Sequence, residues 1–149
     1  MDQATLKQII SLVQDVQTII VSSVDENGFP NSKQMFKKVH DGLKKFWFST
    51  NTSSMRTKHF LVNQRACLYF VGESNGLMLI GEMKVCHDTE SKKLLWEEGD
   101  EQYYPLGVDD SDYCVFEFSA QSGDYYSNGR KHIFTIDELN DEGKSNAIC

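Results

Sequence analysis

Apolar residues recur along this chain in two rhythms, and the switches between them predict its elements. Leu6, Ile9, Ile10, Val13 and Val16 stand three and four apart, one stripe of a helix over about residues 3–16 that Asp2 can cap. From Thr18 the rhythm shortens. Thr18–Val24 is β-branched, Asn27-Gly28 supplies a turn that readily takes positive φ, and residues 31–39 predict the paired strand. His40-Asp41-Gly42 then turns the chain into a third strand, 43–49, so a three-stranded meander is expected.

A helix is expected from about 54 to 63, anchored by Phe60 and Leu61, followed by a fourth strand at 66–71. Ser74-Asn75-Gly76 turns into a long fifth strand, 77–87, interrupted at Gly81. Glycine inside a strand marks a bulge or a close approach of ligand or backbone. Asp88 or Thr89 can cap a helix through Trp96, and a helical piece at about 101–104 stops at Pro105. Residues 113–120 make a sixth strand, 123–127 continue or flank the sheet, and 131–136 add a short edge strand. The pattern describes one domain over residues 1–137 and a polar tail at 138–149. A mainly antiparallel barrel with peripheral helices fits this order, with an open sheet covered on one face as the competing architecture.

Composition changes the picture only by exclusion. At 149 residues, 40% apolar and 25% charged, the chain is long enough to bury roughly 70% of its unfolded surface in one core. No apolar run is long enough to span a bilayer, and no leader is read at the start. Cys67, Cys86, Cys114 and Cys149 are far apart with no C-x-x-C pair, so free thiols and a cytoplasmic address are expected. His40, His59, His87 and His132 have no metal-ligand spacing, and no metal site is expected. Neither G-x-G-x-x-G nor a Walker A pattern occurs, and no Ser–His–Asp set stands out.

Charge is more informative than its sum. The net value of −7 argues against nucleic-acid and membrane partners, yet residues 31–65 alone carry +7 and the remainder −14. The acids gather at 97–112. In the basic middle, an aromatic strand (Phe46-Trp47-Phe48) breaks into small polar residues, 49–54, and continues as a helix bearing Arg56 and Lys58. Free N–H groups at a helix start, hydroxyls and cations together favour an anion such as a phosphate ester. Lys37, Lys38, Lys44 and Lys45 read as a solvated sheet face.

Four segments in order carry a resemblance: Pro30-Asn31-Ser32-Lys33-Gln34-Met35; Trp47-Phe48-Ser49-Thr50 with Ser54 and Arg56; Asn63-Gln64-Arg65-Ala66-Cys67-Leu68-Tyr69-Phe70; and Leu77-Met78-Leu79-Ile80-Gly81-Glu82-Met83. Together they resemble the pyridoxamine 5′-phosphate oxidase-like flavoproteins, more closely their short general stress protein branch. The resemblance implies a mainly β fold, a six- to seven-stranded antiparallel split β-barrel, forming a homodimer with FMN at the interface. It places cofactor contacts on Lys33, Gln34 and Met35, on Ser49 and Thr50, and on Ser54, Arg56 and Lys58. Met55 stands where the family carries the first base of its phosphate triplet, which leaves Lys58 or Lys33 to replace that charge. The tail lacks the family's arginine–histidine substrate-phosphate segment, so pyridoxamine phosphate oxidation is not expected. The activity implied is an FMN-dependent oxidoreductase using NAD(P)H and a small-molecule acceptor. A flavin-storing or sensing protein without turnover, and a split-barrel module without flavin, are the alternatives.

Overall fold

The computed structural model describes residues 1–139, in which one antiparallel sheet of eight strands carries the fold. Helix α1 (Gln3–Asp15) leads into β1 (Thr18–Val24), β2 (Pro30–Phe36), β3 (Val39–Asp41) and β4 (Lys45–Asn51). Helix α2 (Met55–Val62) precedes β5 (Arg65–Val71) and β6 (Asn75–Cys86). Helix α3 (Thr89–Leu95) and two 3-10 turns, Asp100–Gln102 and Gly107–Asp109, lead to the long β7 (Tyr113–Ser127) and to β8 (Arg130–Thr135). From residue 140 the expected tail, with Cys149, lies outside the described residues.

The spatial order is β2-β1-β5-β6-β7-β4-β3, with β8 pairing on β7. Three steps of this order separate β4 from β5, about 14 Å along a flat sheet. Yet the rings of Phe46 on β4 and Phe70 on β5 sit 5.4 Å apart. The sheet is therefore rolled, and its concave face closes on one core that includes Val21, Phe48, Leu68, Leu79, Phe116 and Phe118. This is the split barrel, mainly β with peripheral helices, that the resemblance implies. A smaller apolar cluster lies elsewhere, where Leu95 of α3 packs with Tyr104, Tyr113 and Val115.

Two expectations need correction. The sheet's hydrogen-bonded path has seven strands, as expected, with β8 added on β7, but the stretch expected as one strand at 31–39 is broken in two. Past Phe36 the Lys37 backbone N–H still reaches the Gln17 carbonyl opposite it (2.9 Å), while its Nζ caps the end of α1 at the carbonyls of Val13 and Gln14 (2.7 Å each). No three-stranded meander forms either. β4 pairs with β3 and β7, not with β2, so β2 stands at a free edge.

The irregularity expected at Gly81 is present as a bulge. Ile80 pairs with Ser122 and Gly81 with Ala120, which leaves Gln121 as the extra residue of β7. A Cβ at position 81 would collide with the Ser119 carbonyl oxygen, so only glycine fits this crossing. Among the described residues no helix is long and apolar enough to cross a membrane.

Candidate functional site

Alternation along β4 decides what faces where. Phe46, Phe48 and Thr50 are buried, while Trp47 and Ser49, half-buried, alternate with them. After Asn51 the chain leaves the sheet and three small residues bring it to α2. The turn closes with Ser54 N–H on the Asn51 carbonyl (3.1 Å) and the Thr57 hydroxyl on the same oxygen (2.7 Å). Ser54 is the N-cap, its Oγ accepting the Thr57 N–H at 3.1 Å. Met55 and Arg56 are the first two helical residues, whose N–H groups have no intrahelical acceptor.

The acidic stretch holds this loop from outside. Asp112 accepts the Ser53 N–H on one carboxylate oxygen (2.9 Å) and the Asn51 side-chain amide on the other (2.7 Å). Its carbonyl takes the Thr52 N–H at 2.7 Å, and the Ser111 carbonyl takes the Thr52 hydroxyl at 3.0 Å. The Asn51 and Ser53 hydrogen bonds hold the Asp112 carboxyl below the usual carboxylate range. Above the strand end, the buried Tyr104 phenol donates to the Thr50 carbonyl at 2.9 Å, and burial pushes its pKa up to about 12.

Arg56 is the distinctive group. Its Nε is buried and has no hydrogen-bond partner, and among the described residues no acid pairs with it. Burial alone draws its pKa down, with no opposing carboxylate to restore it. A cation partly withdrawn from water without a counter-charge gains when an anion arrives. The Ser49 hydroxyl is likewise buried and unpartnered. It lies beside the Tyr113 phenol, whose own proton goes to the Lys92 carbonyl at 2.7 Å.

The other expected residues divide. On the edge strand, Lys33 pairs with Val21 and Met35 with Ile19, so both share the concave face; Met35 packs on the core and Lys33 is exposed. Gln34 turns the other way and donates to Thr18 Oγ1 at 2.8 Å. The inner face of β1–β2 is tied to α2 by Ser23 Oγ and His59 Nδ1, 2.8 Å apart. Lys58 stands about 200° round the helix from Arg56. It lines a separate groove with Asp25, Glu26 and His59. The structure thus gathers Thr50, Ser54 and Arg56 at one loop, sets Lys33 and Met35 on a common face of β2, and turns Ser49, Gln34 and Lys58 elsewhere.

Three of the lysines expected as a solvated face are engaged. Lys37 caps α1, Lys38 pairs with Glu97 (3.0 Å) and Lys45 with Glu117 (2.9 Å). Asp112 and Tyr104 escape sequence reasoning, since they lie more than fifty positions from the loop they hold and only the β4–β7 register brings them there. A groove of about 930 Å³ lies elsewhere, between α1 and the turns at 72–75 and 127–128. Its buried polar group, the Tyr125 hydroxyl, is already bonded to Asn75 at 2.8 Å.

Comparison with known proteins adds the following. The family model described as pyridoxamine 5′-phosphate oxidase like matches residues 4–142. The chain is 44% identical to a solved Clostridium acetobutylicum protein, described as related to general stress protein 26 of B. subtilis (pyridoxinephosphate oxidase family). The match has a TM-score of 0.84 and covers 93% of this chain and 99% of that one. General stress protein 26 from Bacillus anthracis is 16% identical with a TM-score of 0.71, over 89% of this chain and 100% of that one. A heme binding protein from Mycobacterium smegmatis is 13% identical with a TM-score of 0.72, over 91% of this chain and 59% of that one. These two likenesses are of fold alone. No curated protein matches the chain.

Proposed function

The chain belongs to the pyridoxamine 5′-phosphate oxidase-like family, and from that premise we propose that it binds FMN as a homodimer and acts as a flavin-dependent oxidoreductase. The observation that carries this reading is Arg56, a half-buried guanidinium with an orphaned Nε and, among the described residues, no acid paired with it, at the start of a helix. A doubly ionised phosphate ester supplies what this group lacks. The residues fit the cofactor. Arg56, the opening N–H groups of α2 and the loop at 50–54 would hold its phosphate, with Lys33 replacing the charge that Met55 does not provide. Met35, on the same face of the edge strand, would lie along its organic part.

Bound FMN would supply two-electron redox chemistry, with NAD(P)H as donor and a small molecule as acceptor. The chain's own residues anchor, orient and shield. At about 0.3 kcal/mol per heavy atom, roughly thirty atoms supply ~9 kcal/mol, enough for micromolar binding with one family cation missing.

Partnering rests on the convex face of the sheet. The register sets Ile20, Tyr69, Met78, Asp124 and Ile133 side by side across five strands. Tyr69, Ile80, Tyr126 and Ile133 there are exposed. A contiguous apolar face of this kind suits a second copy of the chain.

The test is identification of the chromophore released on denaturation, followed by titration. FMN in the supernatant, and bleaching of the bound flavin by NADPH with recovery on adding an acceptor, are expected. Arg56→Ala should weaken FMN by about tenfold or more, the loss of a charged hydrogen bond worth ~1.5–3 kcal/mol. A heme Soret band in place of flavin bands would overturn the cofactor. Flavin colour without NADPH bleaching would reduce the protein to flavin storage.

A further inference from the structure

Asp112 is a carboxylate set against the loop where an anion is expected, an arrangement that on charge alone opposes binding. Its hydrogen bonds give it another part. One oxygen takes the Ser53 N–H and the other the Asn51 amide, while its carbonyl takes the Thr52 N–H. Asn51, Thr52 and Ser53 are thus fastened to one residue, placed just before the strand that pairs with β4. Asp112 is itself fixed from behind, because its N–H donates to Asp110 Oδ1 at 3.0 Å. Asp110 is buried and its second oxygen takes the Leu106 N–H at 3.1 Å. Tyr104, from the same acidic insertion, holds the Thr50 carbonyl.

We propose that Asp112 is a positioning residue for the phosphate of the bound flavin: it fixes the 51–53 turn so that the start of α2 and Arg56 are presented to the ester. This rests on the flavin reading above and adds a residue the family resemblance does not assign. Small polar residues such as Thr52, Ser53 and Ser54 have no packing of their own to hold one conformation. Ordering three of them at the moment of binding would cost conformational entropy that subtracts from affinity. A loop already fastened by hydrogen bonds avoids that cost. The carboxylate's negative charge works against the phosphate but is spent on two donors directed at it, so the geometric gain outweighs the repulsion.

The test is fluorescence titration of the whole protein with FMN and, separately, with riboflavin, which lacks the phosphate. Asp112→Ala should lower the FMN affinity about tenfold and leave riboflavin unchanged. Asp112→Asn retains an acceptor for the Ser53 N–H, and Asn51 can rotate its amide to meet the new one, so FMN affinity should return to within about threefold of the parent. Circular dichroism and the thermal midpoint report whether each variant folds. If Asp112→Ala fails to fold, Asp112→Asn and Asn51→Ala carry the test, Asn51→Ala weakening FMN but not riboflavin. A parent that prefers FMN, with an unaltered alanine variant, overturns the role of Asp112 while the flavin reading stands. Tighter FMN binding by both Asp112 variants overturns it too, the carboxylate then acting as a competitor. A parent that binds FMN and riboflavin equally sinks the phosphate site and this role with it.

Discussion

Ser23 Oγ and His59 Nδ1 lie 2.8 Å apart, and this contact fastens α2 to the strand paired with the edge strand β2. The serine is 1% exposed, in a position where its hydroxyl has one task. Ser23→Ala should leave the imidazole nitrogen without a partner and destabilise the fold by about 1–2 kcal/mol. For a chain of this size that lowers the thermal midpoint by about 2–6 °C. A calorimetric scan of the variant checks it, and an unchanged midpoint would mean that Phe60, packed edge-on against Phe116 at 5.2 Å, holds the helix alone.

Gly81 is where backbone crosses backbone. A methyl group there meets the carbonyl oxygen of Ser119, which belongs to a paired strand and cannot swing aside. Gly81→Ala should cost about 1–3 kcal/mol, whereas Gly28→Ala, at a turn with open space around it, is penalised only through its positive φ of 84°. Urea unfolding of the two variants separates these causes. A Gly81 variant as stable as the parent would show that the bulge shifts freely.

Much of the architecture was legible from local rhythm, since the residues that set it are neighbours in sequence. The stripe from Leu6 to Val13 locates α1, and Asp2 caps it by accepting the Thr5 N–H at 2.7 Å. The Asn27-Gly28 turn closes as expected, with Asp25 gathering the N–H groups of Asn27 and Phe29. Pairing between distant strands was not legible. Nothing in residues 45–51 says that β4 lies against β7, and the roles of Asp112 and Tyr104 depend on that register. Lys37 looks like one more strand residue until its ammonium group is found on the end of α1. The helix start at Ser54 was visible as a cap, but whether Arg56 and Lys58 act together depends on where each points around α2, which only packing settles.

Glu117 links β7 to β4 through the Lys45 ammonium at 2.9 Å and the Trp47 indole N–H at 3.2 Å. The Lys45 hydrogen bond is the main reason its carboxyl lies below the usual glutamate range, with Trp47 adding to it against a smaller desolvation. A folded-state value below the unfolded one contributes stability that is complete above about pH 4.5 and is lost as pH falls through the folded value. The parent should therefore melt higher than Glu117→Gln at pH 7, and the gap should close as pH falls below the usual glutamate range. Because the pair is partly exposed, the gap should be modest, about 1 kcal/mol or less. A difference that persists into acid would assign the contribution to packing instead of charge.

The convex face supplies the last expectation. Ile133 is 78% exposed on β8, at the end of a row that runs through Asp124, Met78 and Tyr69 to Ile20. Within that row the Asp124 Oδ1 is buried and unpartnered. An unpaired carboxylate oxygen amid apolar side chains is costly in a lone chain, and a donor from a second copy would relieve it. Ile133→Lys places a charge on this face where it costs the single chain almost nothing, since the side chain is already in water. By sedimentation equilibrium the parent should have twice its 17.0 kDa chain mass, and the variant should fall to the chain mass with unchanged circular dichroism. A parent that sediments as a single chain at every concentration would refute the dimer, and a variant that stays paired would place the interface on another face.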